Sequence, residues 1–138
     1  TVGPIDYTYI GFHPDFEDEL LELINHSRIE EGLPAFKADP QLKDYARQSL
    51  TEKKEVLPPG RTTNLLFFNY NRGPEETADY LPWKSDIFTQ KHEDGTPYYA
   101  SIGIACYYHF IFPESPSSTY GVTETPKYLQ WCFILGTD

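Results

Sequence analysis

Two runs in the C-terminal third, Ile102 to Phe112 and Tyr128 to Leu135, constrain this chain most, because both are mainly apolar at odd and even positions alike. Successive side chains of a strand point to opposite faces, so an unbroken apolar run leaves neither face for water. The first run sets Ile102, Ile104, Cys106, Tyr108 and Phe110 on one face, and Ala105, Tyr107, His109 and Ile111 on the other. The second divides into Tyr128, Gln130, Cys132 and Ile134 against Leu129, Trp131, Phe133 and Leu135. Pro113 to Lys127, rich in Pro, Ser and Thr, reads as the loop of a long hairpin. Both faces need cover, and the helices upstream are its only source. The expected fold class is α/β of the α+β type, a three-layer α/β/α sandwich with a small antiparallel sheet.

The upstream pattern supplies those helices. A first helix is predicted from about Asp15 to Glu31, with Asp15 as N-cap and Glu17, Asp18 and Glu19 at the positive end of its dipole. Phe16, Leu20, Leu23, Ile24 and Ser27 fall on one face. Gly32 suits a left-handed residue after the helix, and Pro34 blocks continuation. A second helix is capped by Asp39, starts at Pro40 and carries the stripe Leu42, Tyr45, Ala46, Ser49 and Leu50. Pro58-Pro59-Gly60 stops it. Asn64 to Tyr70 reads as a short buried strand, and Pro74 opens a third helix ending near Pro82. Residues 84 to 97 read as loop, and residues 1 to 13 as an arm or edge strand ahead of a single domain over 14–138.

The length of 138 residues suits one domain with its own core, and 11 Tyr with 9 Phe argue against disorder. A net charge of -10 opposes contact with nucleic acid phosphates and with an anionic membrane surface. No apolar run approaches the ~20 residues that span a bilayer. The chain starts at Thr1 and contains no Met, so the expectation is a processed or trimmed piece. A hairpin symmetric about Thr119 would set Cys106 opposite Cys132, where a disulfide is geometrically possible; two buried free thiols are the alternative.

Leu20-Leu21-Glu22-Leu23-Ile24-Asn25-His26-Ser27-Arg28 resembles the opening helix of the CAP superfamily (cysteine-rich secretory proteins, venom antigens, plant pathogenesis-related class 1 proteins), with its Asn-x-x-Arg signature at Asn25 and Arg28. Gly32-Leu33-Pro34 and the following Phe36-Lys37-Ala38-Asp39 resemble the family's next turn. Asn64-Leu65, Pro74-Glu75-Glu76 with Trp83, Ile102-Gly103-Ile104-Ala105 and Trp131 to Gly136 resemble later blocks in the same order. The resemblance implies a secreted or surface-exposed domain with the sandwich deduced above.

Many members of that family hold a divalent metal with two His and two Glu. Here Thr63 stands where one Glu is expected, and no His falls within Val56 to Arg61. Asp86 and His92 are the nearest polar residues after Trp83. The cleft candidates are therefore Thr63, Asn64, Trp83, Asp86 and His92, with no metal, other cofactor or catalytic residue expected. His26 is expected on the surface, His13 to cap or decorate the arm, and His109 to be a core residue. The sequon Asn25-His26-Ser27 lies within a helix, where Asn25 is expected to tie down a loop. Ser115, Ser117 and Ser118 have no evident base partner. The first expectation is a non-catalytic binding or interaction module with a protein partner. Carriage of a sterol or fatty acid is the alternative, and a metal-dependent hydrolase comes last.

Overall fold

The computed structural model describes residues 11–69, 73–110 and 127–138. Along them run β1 (Gly11–Phe12), α1 (Pro14–Glu30), β2 (Lys37–Ala38), α2 (Pro40–Glu52), β3 (Thr63–Asn69) and α3 (Pro74–Lys84). A 3-10 turn at Ile87–Thr89, β4 (Ser101–Phe110) and β5 (Lys127–Gly136) follow. The loop expected over Pro113 to Lys127, with Ser115, Ser117 and Ser118, lies almost wholly outside the described residues, as do Ile111 and residues 1–10 of the arm.

The strands form one sheet in the order β1-β4-β5-β3, with β2 beside β1 on the outer edge of β4. Pairing is antiparallel except for the two-residue β2–β4 contact. The fold is α+β, as the apolar runs require. On one face Leu42, Ala46 and Leu50 of α2 pack onto Ala105, Cys132 and Ile134. On the other, Leu20 and Ile24 of α1, Leu81 of α3 and Phe88 of the 3-10 turn pack onto Ile102, Ile104, Trp131 and Phe133. No described helix is long and apolar enough to cross a membrane.

The hairpin register differs from the symmetric one by a single residue. Cys106 faces Trp131, and Ala105 faces Cys132. Because strand faces alternate with period two, this slip puts the two thiols on opposite sides of the sheet. Cys106 belongs to the aromatic cluster and Cys132 to the α2 cluster; both are buried and free, so the expected disulfide is replaced by its alternative. Burial, with the Glu55 carboxylate adding to it, pushes the Cys132 thiol up to about 12. Burial and Glu17 push Cys106 up as well.

Several helix ends differ in detail. α1 begins one residue earlier, because Pro14 takes the first helical position and His13 Nδ1 accepts the Phe16 N–H at 3.3 Å. Asp15 is therefore inside the helix. Its buried stripe is Glu17, Leu20, Ile24 and Arg28, whereas Ser27 is exposed. α2 is capped by Asp39, whose Oδ1 accepts the Gln41 and Leu42 N–H groups. It ends at Glu52, ahead of the prolines, with Lys53 left-handed at φ 58 and Ser49 Oγ bridging to both backbone groups of Val56. α3 runs through Pro82 to Lys84. β3 is an edge strand, so only Phe68 of its seven residues is buried.

Gly103 explains how α2 lies so close to the sheet. A Cβ there would come within 2.2 Å of the Leu42 carbonyl carbon and the Lys43 nitrogen. The Ile102-Gly103-Ile104 block thus needs glycine for a close approach of two backbones.

Candidate functional site

The scaffold residues act by tying loops to α1. Asn25 Oδ1 accepts the Phe36 N–H at 2.7 Å, and Asn25 Nδ2 donates to the Phe36 carbonyl at 3.5 Å. Arg28 is fully buried, and its guanidinium donates to the carbonyls of Pro34 (2.8 Å), Phe88 (2.9 Å) and Tyr99 (3.2 Å). It also lies 3.6 Å above the Phe36 ring centroid. Desolvation lowers its pKa. Gly32 takes φ 79, which lets Leu33 N–H return to the Arg28 carbonyl at 2.8 Å. Asn25, Arg28, Gly32 and Pro34 thus join α1, its following turn, the 3-10 turn and the entry to β4.

That entry presents two tyrosines. Tyr99 is buried, and its hydroxyl accepts from Asn64 Nδ2 of β3 at 3.2 Å. Its ring meets Tyr98 edge-on at 4.8 Å, and the exposed His92 ring lies 4.9 Å from Tyr98. His92 is presented by a tight turn, in which its N–H bonds the Thr96 carbonyl at 2.8 Å and its carbonyl accepts Gly95 N–H at 3.0 Å. Hydrogen bonds from the Thr96 hydroxyl and N–H hold the Asp94 carboxyl below its ordinary range, and His92 adds a smaller effect. Asn64, Tyr99, Tyr98 and His92 form one strip, polar at both ends and aromatic between.

Two of the sequence candidates, Asn64 and His92, therefore stand at the two ends of one strip, joined through Tyr99 and Tyr98 and not in contact with each other. Thr63 does not join them: strand alternation turns it to the α2 face, with Leu65 and Phe67, while Asn64 shares the aromatic face with Leu66 and Phe68. Asp86 is exposed and its carbonyl receives the Thr89 N–H at 3.1 Å. Trp83 falls in the last turn of α3, and its side chain lies outside the described part of the structure, as does that of His109 on β4. His26 is exposed and pairs with Glu30 at 2.9 Å. Tyr98 and Tyr99 follow a segment that reads as plain loop, so no periodicity marks them; adjacent aromatics just before a strand were the available signal.

Glu17 is the other polar centre. It is 2 % exposed, its Oε2 accepts the Cys106 N–H at 2.9 Å, and its Oε1 accepts Arg47 Nη2 at 2.7 Å. Lys43 Nζ lies 3.2 Å away. The carboxylate covers the edge of β4 between the two short strands β1 and β2. Beside it is a cleft of about 210 Å³, lined by Asp18, Leu21, Asp39, Lys43 and Ile104 among others. Its main charges are already paired, so its chemistry is structural.

The residues present do not fit the metal site that the resemblance implies. Thr63 and Asn64 offer neutral oxygens on opposite faces, and the Asn64 amide is bonded to Tyr99. Among the described residues no group of three or more His, Cys, Asp or Glu is placed to hold a metal. Comparison of the chain with protein-family models and with curated proteins gave no match.

Proposed function

We propose that this chain is a non-catalytic binding module of CAP-like architecture, acting in the secreted or surface setting that the resemblance implies, and that the strip from His92 to Asn64 is its recognition surface. One observation carries this reading: residues from β3, the His92 turn and the segment before β4 converge on a single strip, and Arg28 fixes the backbone that presents it. The strip can stack and hydrogen-bond. Asn64 is a neutral amide, and its Nδ2 donates to the Tyr99 hydroxyl oxygen. A fragment screen read by the ring-proton shifts of His92 and Tyr98 tests it. Ligands that move both rings, and lose affinity in Tyr98→Ala without loss of fold, support the reading. Hits scattered over the surface sink it, and so does a hydrolase activity abolished by His92→Ala.

Carriage of a small hydrophobic ligand such as a sterol or fatty acid has one observation in its favour. Trp131 is fully buried, and among the described residues its Nε1 N–H has no hydrogen-bond partner. An apolar ligand bearing an oxygen beside Trp131 would satisfy that donor. Native mass spectrometry after exposure to cholesterol and to palmitate decides it: a bound mass lost in Trp131→Phe favours carriage, and an unliganded chain rejects it.

A further inference from the structure

The recognition strip makes no use of the sequon Asn25-His26-Ser27. An Asn-x-Ser triplet is the acceptor of an N-linked glycan in a chain that enters the secretory pathway. Here it lies inside α1, and the fold asks different things of its residues. His26 and Ser27 are exposed on the surface of the helix. Asn25 is half-buried, and its amide meets both main-chain groups of Phe36. Oδ1 accepts the Phe36 N–H at 2.7 Å, and Nδ2 donates to the Phe36 carbonyl at 3.5 Å.

That pairing fixes which hydrogen of the amide is in use. To reach the N–H and the C=O of one residue together, Asn25 must donate the nitrogen hydrogen that lies on the same side as Oδ1. Attachment of a glycan turns the side chain into a secondary amide. Such an amide is planar and trans, so the sugar carbon sits on the same side as the oxygen. The cis arrangement, which would spare that hydrogen, is rare. The sugar therefore takes the position of the hydrogen that bonds Phe36, and its ring would run into the Phe36 carbonyl. Phe36 has little room to yield, being 4 % exposed with the Arg28 guanidinium 3.6 Å above its ring.

We propose that Asn25 is an N-glycosylation site open only before α1 docks, and that the glycan and the Asn25–Phe36 clamp exclude each other. In the transfer, Nδ2 loses one proton and bonds to the anomeric carbon of an oligosaccharide, and the lipid pyrophosphate that carried the sugar leaves. A helix draws most of its stability from tertiary packing, so the emerging chain presents the sequon unfolded. A chain that folds first keeps its amide, and a chain modified first cannot close onto Phe36. The inference takes the secreted setting proposed above as the place where this operates. It concerns α1 and not the His92–Asn64 strip, so either can fail alone.

The test translates the full chain behind an export leader with microsomes that hold the transferase and its lipid-linked oligosaccharide. After the membranes are dissolved in mild detergent, products are sorted by endoglycosidase H shift and by resistance to trypsin, which reports the population of opened chains. A glycosylated fraction is expected, cut at least tenfold faster than the unmodified fraction. Ser27→Ala should abolish that fraction and leave a fully resistant product. Asp94→Asn added to Ser27→Ala moves the sequon to the exposed turn at Asp94, Gly95 and Thr96, where the same glycan should leave resistance unchanged. Purified folded chain added to permeabilised microsomes should take no glycan. The proposal is overturned if the chain glycosylated at Asn25 resists trypsin as the unmodified chain does, if the folded chain is modified, or if the emerging chain takes no glycan. It is also overturned if the glycan in the Asp94 turn sensitises the chain equally, which would make bulk and not the Phe36 clamp the cause.

Discussion

The two faces of the sheet are covered by different means. On one, a single helix lies flat: Leu42, Ala46 and Leu50 meet small or aliphatic residues, and Gly103 lets the backbones touch. On the other, two helices and a 3-10 turn, which contributes Phe88, cover the larger rings of Trp131 and Phe133. A helix satisfies its own backbone and can cover a sheet by shape alone. A loop cannot, because its carbonyls need donors wherever water is excluded. Both faces bury a polar side chain for this purpose, but on different scales: Ser49 of α2 serves one loop residue, Val56, whereas Arg28, with the half-buried Asn25, serves several loops on the aromatic face. The candidate recognition strip lies on the face built partly from loops, where variable backbone can present side chains on a rigid base.

The sharpest way to break this contrast is Arg28→Ala. It leaves the buried carbonyls of Phe88 and Tyr99 without their donor and removes the part-buried bond to Pro34. The expected loss is about 4 kcal/mol, a large part of a typical domain's stability. Arg28→Lys should recover little, since one ammonium cannot reproduce the planar fork. Urea unfolding measures both; a loss below about 1 kcal/mol for the alanine variant would show that the clamp is dispensable.

Gly103→Ala attacks the opposite face. The added methyl meets backbone atoms of α2 at 2.2 Å, which no side-chain rotation relieves. A loss of about 3 kcal/mol is expected, with amide shifts concentrated in α2 and β4. Shifts centred on α1 and α3 would mean that the two faces are not independent.

Much of this arrangement is legible in the sequence. Apolar residues on both sides of two strands demand two covering layers, and Asp39-Pro40 and Gly32 mark helix ends by their own geometry. The register was not legible, because the loop between the strands need not be symmetric, and one residue of asymmetry moves Cys132 to the other face. Nor was Glu17, whose place in the first turn suits a dipole partner as well as the buried hub that it is. The strip was half legible: Asn64 and His92 stood out as polar residues, but the tyrosines that join them lie in a segment without period.

The displaced thiols give the next test of the two faces. Each is buried on its own side, and each is pushed above its ordinary value of 9.0. The unfolded chain therefore loses these protons first, so stability is full below about pH 9 and falls as pH rises toward the raised folded values. Each thiol should contribute a slope of up to about 1.4 kcal/mol per pH unit in that window. Cys132→Ala and Cys106→Ala should each flatten the slope by one thiol's share. Oxidation of the folded chain should produce no intramolecular disulfide by mass; a bond formed without unfolding would contradict the register.

The smallest effect concerns how α2 is started, and it separates a cap from an ion pair. Burial works against the Asp39 charge, but hydrogen bonds from Leu42 N–H, Arg61 and Gln41 N–H outweigh it and hold the carboxyl below 3.8. Its contribution is thus present above about pH 4 and lost as pH falls through the lowered folded value. Asp39→Ala should cost about 1 kcal/mol at pH 7. Asp39→Asn keeps an equally good cap while removing the charge opposite Arg61, whose Nη1 lies 2.9 Å from Asp39 Oδ2. If Asn restores most of the loss, α2 is held on its face by geometry, as the contact at Gly103 implies. If Asn behaves like Ala, the Arg61 pair anchors the helix, and the α2 face also depends on a polar clamp.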